Sequence, residues 1–160
     1  MAVRNIIKNY AGRTLDVNIS GNLDPLSSDV QPMGLRFGAL STKCAGVQKL
    51  IQRYAIILLT SKGSQKNNPD FGSDLIPTLL GGNFINAGEL VHTFSLASWS
   101  VVQRLRAYQV ANPGAPLDEQ INTAVLTDYK VQGTTVQFNV KIHTQAGEII
   151  DFILPVVIPD

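Results

Sequence analysis

The chain has one cysteine, two histidines and little charge. A single Cys44 makes no internal disulfide and no cysteine-based metal site, and it fits a reducing compartment. His92 and His143 stand outside any metal-ligand spacing. Charged residues are 16% of the 160, against roughly 25% in an average soluble domain. The 13 Lys and Arg against 12 Asp and Glu leave a net charge of +1. Without a clustered excess of basic residues there is no face for counterion release on nucleic acid and no polybasic attachment to a membrane. The longest unbroken apolar run, Tyr54 to Leu59, falls far short of the roughly 20 residues that span a bilayer. Met1-Ala2-Val3-Arg4-Asn5 opens no signal peptide. These absences predict a soluble, cytoplasmically made protein of one domain that uses no metal, no cofactor, no nucleic acid and no membrane.

What is present is a core's worth of apolar residues, 44% of the chain, together with 11 asparagines and 10 glutamines. A surface that is polar through amides rather than charge is poorly protected against association. It suits a subunit covered by partners.

Residues 1–40 carry little pattern and read as an N-terminal arm, or a loop ordered by a partner; residues 41–160 read as the folded domain. Within the arm, Thr14 to Ser20 alternates Leu15, Val17 and Ile19 with polar neighbours, a short strand signal. Gly21 to Pro25 and Gln31-Pro32-Met33-Gly34 read as turns. From about Thr42, Val47, Leu50, Ile51, Tyr54 and Leu58 recur at helical spacing, with Lys49, Gln52 and Arg53 on the other side. The stretch 55–59 is apolar all round, as in a buried helix end, and Gly63 is the expected stop. A short helix capped by Ser73 runs toward Leu80, with Gly81-Gly82 to end it. The clearest helix is 87–109, with the stripe Leu90, Phe94, Ala97, Val101, Leu105 and Tyr108 widened by Val91 and Val102.

The remainder is β: 124–131, a turn at Gln132-Gly133, then 134–144 alternating Val136, Phe138, Val140 and Ile142 against polar residues. A second turn at 145–147 leads into a last strand. The fold class expected is α+β, two to three helices packed on a C-terminal three-stranded antiparallel meander. The last strand is apolar on both faces and interrupted by Pro155 and Pro159. Proline cannot donate to a ladder, so the strand is an edge or leaves the sheet at Pro155. One reading covers it with the long helix. The other makes it a docking edge for another chain, carried by Ile149, Ile150, Phe152, Leu154 and Val156. On the second reading, charges at Ile150 and Phe152 leave a folded chain that no longer docks.

No catalytic constellation stands out. Asp70 and Asp74, four apart, are the most enzyme-like pair, because glycoside hydrolysis needs two nearby carboxyls. Acids at a turn and a helix start, however, are explained by the helix dipole alone. Ser73 lacks the Gly-x-Ser-x-Gly frame of a nucleophile elbow. Gly81-Gly82 to Gly88 follows no strand, which argues against a dinucleotide loop. His92 and His143 are expected in solvent, and Trp99 in the core or an interface.

One stretch is more specific. Ile51-Gln52-Arg53-Tyr54, Leu58-Leu59-Thr60, a polar loop, and Pro69-Asp70-Phe71-Gly72-Ser73-Asp74-Leu75 resembles the baseplate wedge or sheath-initiator family of contractile phage tails. That family includes subunits labelled lysozyme-like and relatives in type VI secretion baseplates. Its motif positions here are Pro69, Asp70, Phe71, Gly72, Ser73 and Leu75. The family carries a Gly-Glu-Arg or Glu-Pro-Arg motif in the loop after the first helix, where this chain has Lys62-Gly63-Ser64-Gln65-Lys66. The resemblance implies a structural, non-enzymatic protein of the virion tail baseplate, made in the bacterial host cytoplasm, with six copies around the tail axis. Its implied partners are the tail sheath protein, baseplate wedge proteins, and tube or hub proteins. The implied role is to start sheath assembly by accepting sheath strands at the C-terminal hairpin. The alternative implied by the lysozyme-like label is a peptidoglycan hydrolase using Asp70 and Asp74.

Overall fold

A computed structural model of the chain describes residues 15–19, 29–33, 43–82 and 86–158. Two helices and a short third one form a layer on one face of a C-terminal sheet, the α+β arrangement expected.

Helix α1, Val47–Leu59, has no side-chain cap of its own. It ends four residues before Gly63, because Thr60 turns extended and its hydroxyl returns to the Ile56 carbonyl at 2.6 Å. Leu50, Ile51, Tyr54, Ala55 and Leu58 are buried as the spacing predicts. The polar side departs from expectation, since Lys49 and Gln52 are buried as well. Helix α2, Leu75–Leu80, places Pro77 in its first turn, where the missing N–H breaks no helical bond. Asp74 rather than Ser73 is its N-cap residue, although the Leu75 N–H donates to the Ser73 hydroxyl at 3.2 Å. Helix α3, Ala87–Ala111, starts at Asn86, whose side chain accepts from the Glu89 N–H. Leu90, Phe94, Ala97, Val101, Val102 and Leu105 are buried. Tyr108, the last of the predicted stripe, is 46% exposed instead.

Strands β4, Ile121–Gln132, β5, Thr135–Thr144, and β6, Ile149–Val157, form the antiparallel meander. The first turn falls one residue later than expected, at Gly133 and Thr134, with Gly133 at φ +58°. Alternation along β5 and β6 sends Val136, Phe138, Val140, Ile142, Ile150, Phe152, Leu154 and Val156 inward. There Phe138 stacks on Phe94 at 4.5 Å, and Phe152 meets Tyr54 edge-on at 6.4 Å. Burial pushes the Tyr54 phenol's pKa up, opposed by its 2.7 Å hydrogen bond with Ser98.

Two described pieces of the expected arm lie against this body. Asp16–Val17 (β1) pairs antiparallel with Lys43–Cys44 (β3). The Gln52 amide holds the same piece, donating to the Val17 carbonyl at 2.7 Å and accepting from the Ile19 N–H at 2.8 Å. That clasp explains why a glutamine on the polar side of α1 is buried: both its amide groups are satisfied by backbone. Burial, then the charge of Asp16, raises the nearby Cys44 thiol's pKa to about 11, so the thiol stays protonated and unreactive. The second piece, Gln31–Pro32 (β2), is extended rather than a turn. It pairs parallel with Phe152–Ile153 and delivers Met33 into the core. The sheet order is therefore β2-β6-β5-β4. The predicted turn at 21–25 lies outside the described residues, as does Pro159.

Candidate functional site

Two features could meet a partner: the outer edge of β6 and a groove in the helical layer.

On β6 the pairing with β5 uses the main chain of the even-numbered residues. The Ile158 N–H reaches the Thr134 carbonyl and the Glu148 carbonyl takes the Thr144 N–H. With a period of two, Ile149, Asp151, Ile153, Pro155 and Val157 point their main-chain groups away from the meander. Pro155 thus occupies an outward position, where its missing N–H costs no bond to β5 and the strand runs on to Val157. Among the described residues, β2 covers this edge only at Phe152–Ile153, where the Met33 N–H meets the Ile153 carbonyl at 2.8 Å. On the face turned from the helices, Ile149 is 50% and Val157 67% exposed, and Pro155 is exposed between them.

Of the five residues predicted to dock a strand, only Ile149 is on the surface. Ile150, Phe152, Leu154 and Val156 are 5% exposed or less and belong to the core. A charge at Ile150 or Phe152 would therefore fall in the core, and the expectation that it leaves a folded chain is replaced by one of a disrupted fold. An apolar strand read from sequence does not say which of its two faces the helices cover. The opposite edge of the sheet is less suited to a partner. β4 carries a register shift between Leu126 and Asp128, charges at Asp128 and Lys130, and α3 side chains at its start, with Arg106 and Gln109 donating to the Asn122 and Ile121 carbonyls.

The motif Pro69 to Leu75 builds the loop between α1 and α2. Gly63 N–H bonds the Pro69 carbonyl at 2.8 Å, and Ser73 N–H bonds the Thr60 carbonyl at 2.8 Å. The Ser73 hydroxyl donates to the Leu58 carbonyl at 2.5 Å, and Leu75 is wholly buried. Gly72 stands at φ +110°, and a Cβ there would lie 2.3 Å from the Thr60 carbonyl oxygen. Gly72→Ala is accordingly expected to cost about 2–4 kcal/mol, as left-handed strain plus overpacking against backbone that cannot yield. Urea unfolding measures it; an unchanged midpoint would contradict the account.

Phe71 points from this loop into a groove of about 550 Å³ between α1 and α3, with Ile56, Ile57 and Leu105 at its base. Arg53 lies over the Tyr108 ring at 4.5 Å, and Arg104 over the Phe71 ring at 5.8 Å while donating to the Asp70 carbonyl. The sequence shows Arg53 only on the polar side of α1 and in the resembling stretch, and gives Arg104 no role; the two sit some fifty residues apart and meet only through helix packing.

Asp70 and Asp74 line a separate cleft of about 220 Å³ with Lys62 and Arg104. Asp70 is in a turn and Asp74 caps α2, and both side chains are exposed. They do not share a helix. His92 is exposed and His143 half-buried. Trp99 is not core: it is 64% exposed beside Leu96 at 56% on the outer face of α3. Among the described residues no three His, Cys, Asp or Glu gather to hold a metal, and no helix is long and apolar enough to cross a membrane.

No family model matches this sequence, and no curated protein matches it. In fold, the chain is similar to a crystal structure described as a candidate tail lysozyme from Geobacter sulfurreducens. The similarity covers 71% of this chain and 91% of that one, at 13% identity and a TM-score of 0.43.

Proposed function

We propose that the chain is a non-enzymatic assembly subunit of a contractile-tail baseplate, bridging the wedge to the first sheath ring. Sheath segments add as strands to the outer edge of β6. The observation that carries this reading is the edge itself: outward main-chain groups at Ile149, Asp151 and Val157, flanked by exposed apolar side chains. Main-chain hydrogen bonds supply affinity in such an addition, and the side chains flanking the edge supply selectivity. The second support is the resemblance of Pro69 to Leu75 to the sheath-initiator motif, whose residues here hold the loop between α1 and α2 in place.

Because β6 is also a core strand, deleting it would destroy the fold and test nothing. Ile149→Lys with Val157→Lys places two charges on the edge at positions where surface substitutions cost only about 0.5 kcal/mol each. In co-sedimentation with the cognate sheath subunit, wild-type protein is expected to seed polymers. The double variant, within about 1 kcal/mol of wild type in stability, is expected to fail. Normal seeding by the variant would remove strand addition at β6 from the account.

A further inference from the structure

We propose that the groove between α1 and α3 is a second docking site, taking a partner segment in which a bulky apolar side chain lies beside Asp or Glu. This inference does not rest on strand addition, since the groove belongs to the helical layer and the β6 edge to the sheet.

The chemistry of the lining selects the occupant. Among the described residues its only charged ones are Arg53 and Arg104, and no described acid lines the groove with them. Neither guanidinium forms a salt bridge among the described residues; one is held by Tyr108 and the other by Phe71 and a main-chain carbonyl. Stacking on rings fixes the planes of the two forks in advance, so less side-chain entropy is lost when a carboxylate arrives. Between them the base is Ile56, Ile57 and Leu105, apolar and large enough for one bulky side chain. Arginine and tyrosine around an apolar pocket is the composition of a binding hot spot. Among the described residues Asn68 is the only uncharged amide in the lining. The polar groups that would orient a small metabolite are few, and this favours a peptide segment over a free dicarboxylate.

A bead-displayed random peptide library panned on the full chain tests the assignment, with Arg53→Gln/Arg104→Gln as the comparison. Selected peptides are expected to carry Asp or Glu next to Leu, Phe or Trp. Resynthesised singly, they should bind wild type at least about tenfold tighter than the double variant, with affinity falling as salt rises. Arg53→Lys/Arg104→Lys should keep the salt dependence while losing part of the affinity. Asn68→Asp, which leaves both arginines and adds an acid to an exposed lining position, should weaken binding and guards against a misfolded double variant. Peptides without acidic bias, no enrichment at all, or binding by the glutamine or Asn68→Asp variant as tight as that of wild type would each overturn the proposal.

Discussion

Phe152→Asp is expected to leave an unfolded chain. Phe152 is fully buried, edge-on to Tyr54, at the centre of the strand that joins the meander to α1. Truncating a buried phenylalanine costs about 3–5 kcal/mol, and an uncompensated carboxylate in that place adds several more. The total, about 5 kcal/mol or more, reaches the whole stability of a typical small domain. Circular dichroism should show no cooperative melt at any temperature where wild type is folded. A variant that melted within a few degrees of wild type would mean that β6 is not a core strand.

Glu119→Ala is expected to cost about 3–5 kcal/mol, the usual penalty for removing one partner of a buried ion pair. Glu119 lies in a 3-10 turn, Leu117–Glu119, between α3 and β4. One carboxylate oxygen takes the Lys49 ammonium at 3.0 Å and the other the Gly46 N–H at 3.0 Å, with the two ionic side chains 4% and 6% exposed. The carboxylate thereby caps α1, which has no cap of its own, and complements the positive end of that helix. Without it the buried Lys49 ammonium loses the carboxylate that it bonds at 3.0 Å. Lys49→Met with Glu119→Gln removes both charges and keeps an acceptor for Gly46, so it should recover most of the loss. A Glu119→Ala chain as stable as wild type would contradict the capping role, as would a double variant no better than the single one.

These two sites show what the sequence could and could not convey. The periods of 3.6 and 2 located α1, α3 and the meander because burial follows the same spacing that the residues display. They could not report that the polar side of α1 is also buried. Lys49 meets Glu119 seventy positions away, and Gln52 is satisfied by backbone at Val17 and Ile19. Gln31-Pro32 looks like a turn locally and is a strand only because β6 offers it an edge. The motif Pro69 to Leu75 was legible as a pattern, and the collision a Cβ at Gly72 would make with Thr60 explains its glycine. The β6 edge was legible as an apolar strand, but which side chains faced out was decided by the helices. Ile149 and Val157 stand on the surface, whereas Ile150, Phe152, Leu154 and Val156 are core.

The most direct test of strand addition is amide hydrogen exchange on β6 in the free chain and in its complex with the sheath subunit. The N–H groups of Asp151 and Val157 point outward and should exchange fast in the free protein, while those of Phe152 and Leu154 are bonded to β5 and exchange slowly. Strand addition predicts that Asp151 and Val157 become protected in the complex, with Phe152 and Leu154 unchanged. Sheath binding that leaves Asp151 and Val157 exchanging at the free rate would contradict it.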